Sequence, residues 1–287
     1  MNLPRPVVLC ADDVGMTDGI SRGIAELAGL GRLSATSVMS NMPAWGRNAG
    51  FLEVLKGRIG IGLHLNLTVG QPLAPMPCLA PHGTFPPLGR LLRGTALRAY
   101  PPAELGGEIE RQLDAFEERH GAAPDFVDGH QHVHVLPGIR AALLRVLAGR
   151  GQAGRLWLRD PSDGVRAILK RGIGAGKALT VRTLATSFRR DAAAAGFETN
   201  VGFSGFSPLE DETDAGLVLR AAFETLGSKP VVMCHPGYRD DELRSLDPAV
   251  ESRPAELTFL ASFGFEKFLK ASGICLAARP GGPALAP

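Results

Sequence analysis

The chain has 287 residues, with 31 Lys and Arg against 29 Asp and Glu and a formal net charge of +2. No basic block runs longer than a few residues, which excludes recognition of nucleic acid by bulk charge, and no apolar run approaches the roughly 18 residues of a membrane span. The length suits one large α/β barrel, so residues 1–287 are read as a single domain. Cys10, Cys78, Cys234 and Cys275 lie far apart with no C-x-x-C pair, and no apolar signal core precedes the first strand, so reduced thiols and a cytoplasmic location are expected.

Short apolar runs alternate with amphipathic stretches, the pattern of parallel β/α architecture. Val7-Val8-Leu9-Cys10 reads as a buried strand. Ile20, Ile24 and Leu27 follow at helical spacing, with Thr17 or Asp18 as the cap. Residues 35–39 form the next strand, 44–55 a helix, and 59–67 a third strand that carries His64 near its exit. Residues 68–101, rich in Pro and Gly, predict a long functional loop without sustained periodicity. In the helix after it, Leu105, Ile109, Leu113 and Phe116 share the buried face, with Glu104, Glu108, Arg111 and Glu118 largely off it. Phe126-Val127-Asp128 is a strand and 139–147 a helix. Leu156-Trp157-Leu158, Val201-Gly202-Phe203, Val231-Val232-Met233-Cys234 and Ile274-Cys275-Leu276 are the remaining strands. Residues 167–195 are weakly helical, and 280–287 form a frayed tail.

Asp128-Gly129-His130-Gln131-His132-Val133-His134 places three of the seven histidines and an acid within seven residues, a density that points to a metal. Asp12-Asp13, His64, His130, Arg159 and His235 each follow a separate apolar run, and a parallel barrel gathers such strand ends onto one face. Adjacent residues of a regular strand point to opposite faces, so Asp12 and Asp13 are assigned different roles, one as metal ligand and one free as a base. An extended backbone would set His130, His132 and His134 along one side at steps of about 6.6 Å, so they cannot share one ion. His130 is the expected ligand, whereas His132 and His134 shape the pocket or touch substrate, and His82 and His120 are expected in solvent. A metal held by one Asp and two His keeps positions for water and substrate, which makes hydrolysis the natural chemistry. A free carboxylate would act as base, and His235, before a Pro-Gly turn, suits protonation of a leaving amine.

The segments Ala11-Asp12-Asp13-Val14-Gly15, Gly62-Leu63-His64-Leu65-Asn66-Leu67-Thr68, Asp128 to His134, and His235-Pro236-Gly237-Tyr238 together resemble the YdjC-type carbohydrate deacetylases, which include chitooligosaccharide deacetylases. The resemblance implies a distorted (β/α) barrel, like a TIM barrel, and a metal-dependent hydrolase that cleaves the acetamide of an N-acetylated sugar to amine and acetate. It implies Asp13, His64 and His130 as metal ligands, Asp12 as general base, His235 as a candidate general acid and Arg159 as the arginine that orients Asp12. From the residues alone, Asp128 joins the coordination or orients a ring through its second nitrogen, and with His132 and His134 it is expected around the site. Where the family commonly has Phe after the Asp pair, this chain has Val14, which bears on pocket shape. The resemblance implies Mg2+, while two imidazoles and a carboxylate suit Zn2+, Co2+ or Mn2+ by ligand softness. The expected partner is an N-acetylated sugar or oligosaccharide, and a homodimer stays open. Two rival readings are a metal-dependent phosphoesterase, which the lack of a Gly-rich phosphate cradle disfavours, and a non-catalytic carbohydrate-binding barrel.

Overall fold

The first apolar run becomes the spine of the sheet. In the computed structural model, which describes residues 4–208 and 214–285, β1 (Arg5–Val14) is buried from Val7 onward, as a strand covered on both faces requires. It is followed by β2 (Ala35–Val38), β3 (Gly60–Leu65), β4 (Phe126–Gly129), β5 (Trp157–Leu158), β6 (Glu198–Thr199), β7 (Phe203–Ser204), β8 (Val231–Cys234) and β9 (Ile274–Leu276). The order β6-β5-β4-β3-β2-β1-β8-β7 runs around a curled sheet, and β9 pairs with the start of β1. All these pairings are parallel. Among the described residues β6 and β7 do not pair, so the sheet is a TIM-like barrel left open at that seam.

Alternation along the strands separates two cores. Val8, Cys10, Phe126, Trp157, Phe203 and Met233 pack together inside the curl, with Phe126 and Trp157 stacked at 4.5 Å. Val7, Leu9 and Ala11 join the surrounding helices. Gly62 belongs to the crowded interior: a Cβ there would stand 2.5 Å from the Phe126 ring. The helix Asp18–Gly29 begins at Thr17, whose side chain accepts from the Ile20 amide, and buries Ile20, Ile24 and Leu27.

Several expectations change. The helix expected over 44–55 divides into the helix Pro43–Asn48 and a 3-10 turn, Ala49–Leu55. Residues 167–195 form three helices, Val165–Arg171, Ala175–Leu184 and Phe188–Ala194, broken where Gly172, Gly174 and Ser187 take positive φ. The loop expected over 68–101 contains the helix Leu88–Ala96, where Gly94 lets the Tyr100 ring lie against the backbone. The polar strand β6 was missed because two residues carry no periodicity. Met1 to Leu3, Ala286 and Pro287 lie outside the described residues; in the tail expected to fray, the Leu285 amide donates to the Leu276 carbonyl.

The segment after β3 is pinned rather than loose. On the helix Pro102–His120, Glu104, Glu108 and Gln112 stand four residues apart, one above the other. Glu104 accepts from the Cys78 and Leu79 amides, Glu108 from the Leu73 amide, and Gln112 exchanges hydrogen bonds with the Asn66 backbone. Glu108, expected largely off the buried face, is fully buried. His120, expected in solvent, is also buried, against Phe116; His82 is exposed. No helix among the described residues is long and apolar enough to cross a membrane.

Candidate active site

Plain alternation would aim Asp12 inward with Val8 and Cys10, and Asp13 outward with Leu9 and Ala11. The register of β1 against β2 shifts between Ala11 and Val14, and Asp13 adopts φ 78°, a left-handed conformation. This bulge turns Asp13 back. Both carboxylates, each 1% exposed, therefore enter one site instead of pointing to opposite faces.

Asp13 Oδ1 stands 3.2 Å from His64 Nε2 and 3.0 Å from His130 Nδ1. With ligand bonds of about 2.1 Å, donors at right angles around a cation stand about 3.0 Å apart and donors at tetrahedral angles about 3.4 Å, so these three atoms fit a metal. The second ring nitrogen supports the fit. His64 Nδ1 lies 2.7 Å from Asp128 Oδ1, and donation to that carboxylate leaves the Nε2 lone pair facing Asp13, an arrangement typical of ligating histidines. Ser37 Oγ lies 3.0 Å from the same Nδ1 and 3.3 Å from Asp12 Oδ1. Burial alone would lower the His64 pKa, but Asp128 and the Asp pair bring it up to about 10 in the absence of a cation, so a cation that takes the Nε2 lone pair displaces a proton. The pocket between these carboxylates favours positive charge.

Asp12 is held by a guanidinium. Arg159, fully buried just after β5, grips it through Nη1 to Oδ2 at 2.6 Å and Nη2 to Oδ1 at 2.7 Å, and Arg159 Nη2 also lies 2.6 Å from Asp128 Oδ2. Burial pushes the Asp12 carboxyl up, and the guanidinium overcomes that and holds it below the usual carboxylate range. Arg159 thus ties the acid beside the metal cluster to the acid behind His64.

The histidine motif leaves the sheet immediately. β4 stops at Gly129, and His130–Val135 is a tight turn with Gln131 at φ 51° and His132 at φ 59°, not the extended run that was expected. Left-handed non-glycine residues are costly and concentrate at functional sites. The turn separates the three rings. His130 meets Asp13. His132 stands edge-on to Phe203 and Phe206 with its buried Nδ1 unbonded among the described residues. His134 is fully buried, donates from Nε2 to the Arg159 carbonyl at 2.7 Å, and burial brings its pKa down to about 4.

His235 follows β8 and is half-buried. Its amide donates to Glu256 Oε2 at 2.6 Å, while its ring Nδ1 has no hydrogen bond among the described residues. Glu256 and Arg253 were missed in the sequence. Arg253, 1% exposed, donates from Nη2 to Asp13 Oδ2 at 2.8 Å. An Arg and a Glu three residues apart at the start of a helix look like ordinary surface charge, and only their burial reveals them.

The chain is 32% identical over 262 residues to a carbohydrate deacetylase of Mus musculus, covering 83% of this chain and 80% of that protein. It is 27% identical over 258 residues to a carbohydrate deacetylase of Halalkalibacterium halodurans, covering 88% and 94%. A chitooligosaccharide deacetylase of Enterobacter sp. (strain 638) is 33% identical over 155 residues, covering 54% and 60%. In fold, it matches a protein of Enterococcus faecalis V583, provisionally described as a cellobiose-phosphate cleavage protein, with a TM-score of 0.71, 20% identity and coverage of 96% and 97%. The family described as YdjC-like protein matches residues 6–271, and the chain belongs to that family.

Proposed function

We propose that this protein is a metal-dependent deacetylase that hydrolyses the acetamide of an N-acetylated sugar, with Asp13, His64 and His130 as metal ligands, Asp12 as general base and His235 as general acid. The observation that carries the reading is the approach of Asp13 Oδ1 to both imidazoles beside an Arg-bound second carboxylate; the relatives' names supply the substrate class. When bound, a divalent cation supplies Lewis acidity to the acetamide carbonyl and to an attacking water. Asp12, kept ionised and oriented by Arg159, accepts the proton of that water as its oxygen bonds to the carbonyl carbon. His235 then delivers a proton to the nitrogen as the carbon–nitrogen bond breaks, releasing acetate and the amino sugar. Asp128 keeps His64 in the ligating tautomer, and His134 supports the backbone at Arg159.

His132, Phe206 and the pinned segment 68–101 frame the sugar cleft in this reading, whereas Val14 is buried in the outer core with Leu9 and Ala11. The donor set favours Zn2+, Co2+ or Mn2+ over Mg2+. The four cysteines, free of disulfides, support a reducing, cytoplasmic setting.

The test is acetate release from acetylated mono- and oligosaccharides beside phosphate release from an aryl phosphate. Acetate without phosphate is the expected result. Phosphate without acetate would favour a phosphoesterase, and sugar binding without turnover a non-catalytic barrel.

A further inference from the structure

We propose that Arg253 is a positioning residue that confines Asp13 to one coordinating oxygen and thereby sets the coordination number and affinity of the metal site. This rests on the metal-site reading above. Arg253 is buried and anchored independently of Asp13: Nε donates to the Ala249 carbonyl at 3.0 Å, and Nη2 lies 2.6 Å from Asp247 Oδ2 as well as 2.8 Å from Asp13 Oδ2. The guanidinium is thus fixed by its own segment and presents a rigid donor to the far oxygen of Asp13. Only Oδ1 is left facing His64 Nε2 and His130 Nδ1. A carboxylate so held cannot rotate to give both oxygens to a cation, which is the usual freedom of an Asp ligand.

Charge points the same way. Arg253 places one positive charge between Asp13 and Asp247, in a region that also buries Asp12, Asp128 and Glu256. Without Arg253 the surroundings of Asp13 would be more negative by one charge, and Asp13 would be free to turn. A bidentate Asp13 would occupy a position that otherwise serves water or the sugar acetamide.

Cobalt(II) titration followed by visible absorption reads this directly, since band intensity and position report coordination geometry. Arg253→Met is expected to bind Co2+ about fivefold more tightly, with a weaker absorption band than wild type as the coordination number rises. Arg253→Lys restores the charge and one hydrogen bond and should recover much of the wild-type spectrum. Asp247→Asn loosens an anchor without touching Asp13 and should give an intermediate spectrum even if Arg253→Met fails to fold. Wild-type spectra and affinities within twofold in the folded variants would overturn the proposal while leaving the metal site intact. A wild-type protein that binds no Co2+ would remove the metal-site reading itself, and this inference with it.

Discussion

Asp12 and Arg159, 147 residues apart in the chain, meet through both carboxylate oxygens and both terminal guanidinium nitrogens, inside the curl of the sheet and out of solvent. Because Arg159 also faces Asp128, its removal takes the guanidinium from two buried acids at once. Arg159→Met is therefore expected to destabilise the fold by about 3–5 kcal/mol. Arg159→Lys keeps the charge but not the fork and should lose most of the activity while losing less stability. Urea denaturation of both variants checks the difference; equal, small losses would show that the pair contributes little.

Asp12→Asn separates base from ligand. The amide retains the shape of the carboxylate but cannot take a proton, so metal binding should stay within a few-fold of wild type while deacetylation falls by about 10²–10⁴. Metal affinity by calorimetry and kcat on a chitobiose-like substrate are the two measurements. Wild-type turnover in this variant would remove Asp12 from the role of base.

Glu108 holds the segment after β3 from inside the helix Pro102–His120, accepting from Leu73 and Gln112. Glu108→Ala strands these donors and should cost about 2–3 kcal/mol. It should also open residues 72–87 to limited proteolysis and raise KM for an oligosaccharide more than it lowers kcat. An unchanged cleavage pattern would mean that the segment is held by its other contacts.

His134 makes stability depend on pH. Its folded-state pKa is about 4 because burial disfavours the charged ring, against about 6.5 in the unfolded chain. Between these values the unfolded state binds the extra proton, so the stabilisation is complete above about pH 6.5 and is lost as pH falls towards 4. Between pH 7 and pH 5 this single group contributes a loss of about 2 kcal/mol. His134→Gln, which can still donate to the Arg159 carbonyl, should flatten the profile by that amount in urea denaturation. A profile as steep as wild type would assign the pH dependence to other groups.

The sheet was legible in the sequence because strands buried on both faces are unbroken apolar runs, and a parallel sheet aligns the C-terminal ends of those runs on one side. That logic brought Asp12, Asp13, His64, His130, Arg159 and His235 to one face of the fold. Its misses have a common cause. The bulge at Asp13 breaks the alternation from which side-chain direction was inferred, and nothing in the residue types marks a left-handed Asp. The same is true of the turn at Gln131 and His132. Glu108, Arg253 and Glu256 carry charges that sequence reasoning assigns to solvent by default. Their partners lie far away in the chain, as Asp13 lies 240 residues from Arg253.

Asp13, His64 and His130 are proposed to hold one catalytic divalent cation. Acetate release from an N-acetylated oligosaccharide by protein stripped with chelator and titrated back with metal, in wild type and in His64→Ala, tests this. The account predicts no activity in the stripped protein, recovery that saturates at one cation per chain, and no recovery in the variant. Full acetate release by metal-free protein, or equal recovery in His64→Ala, would contradict it.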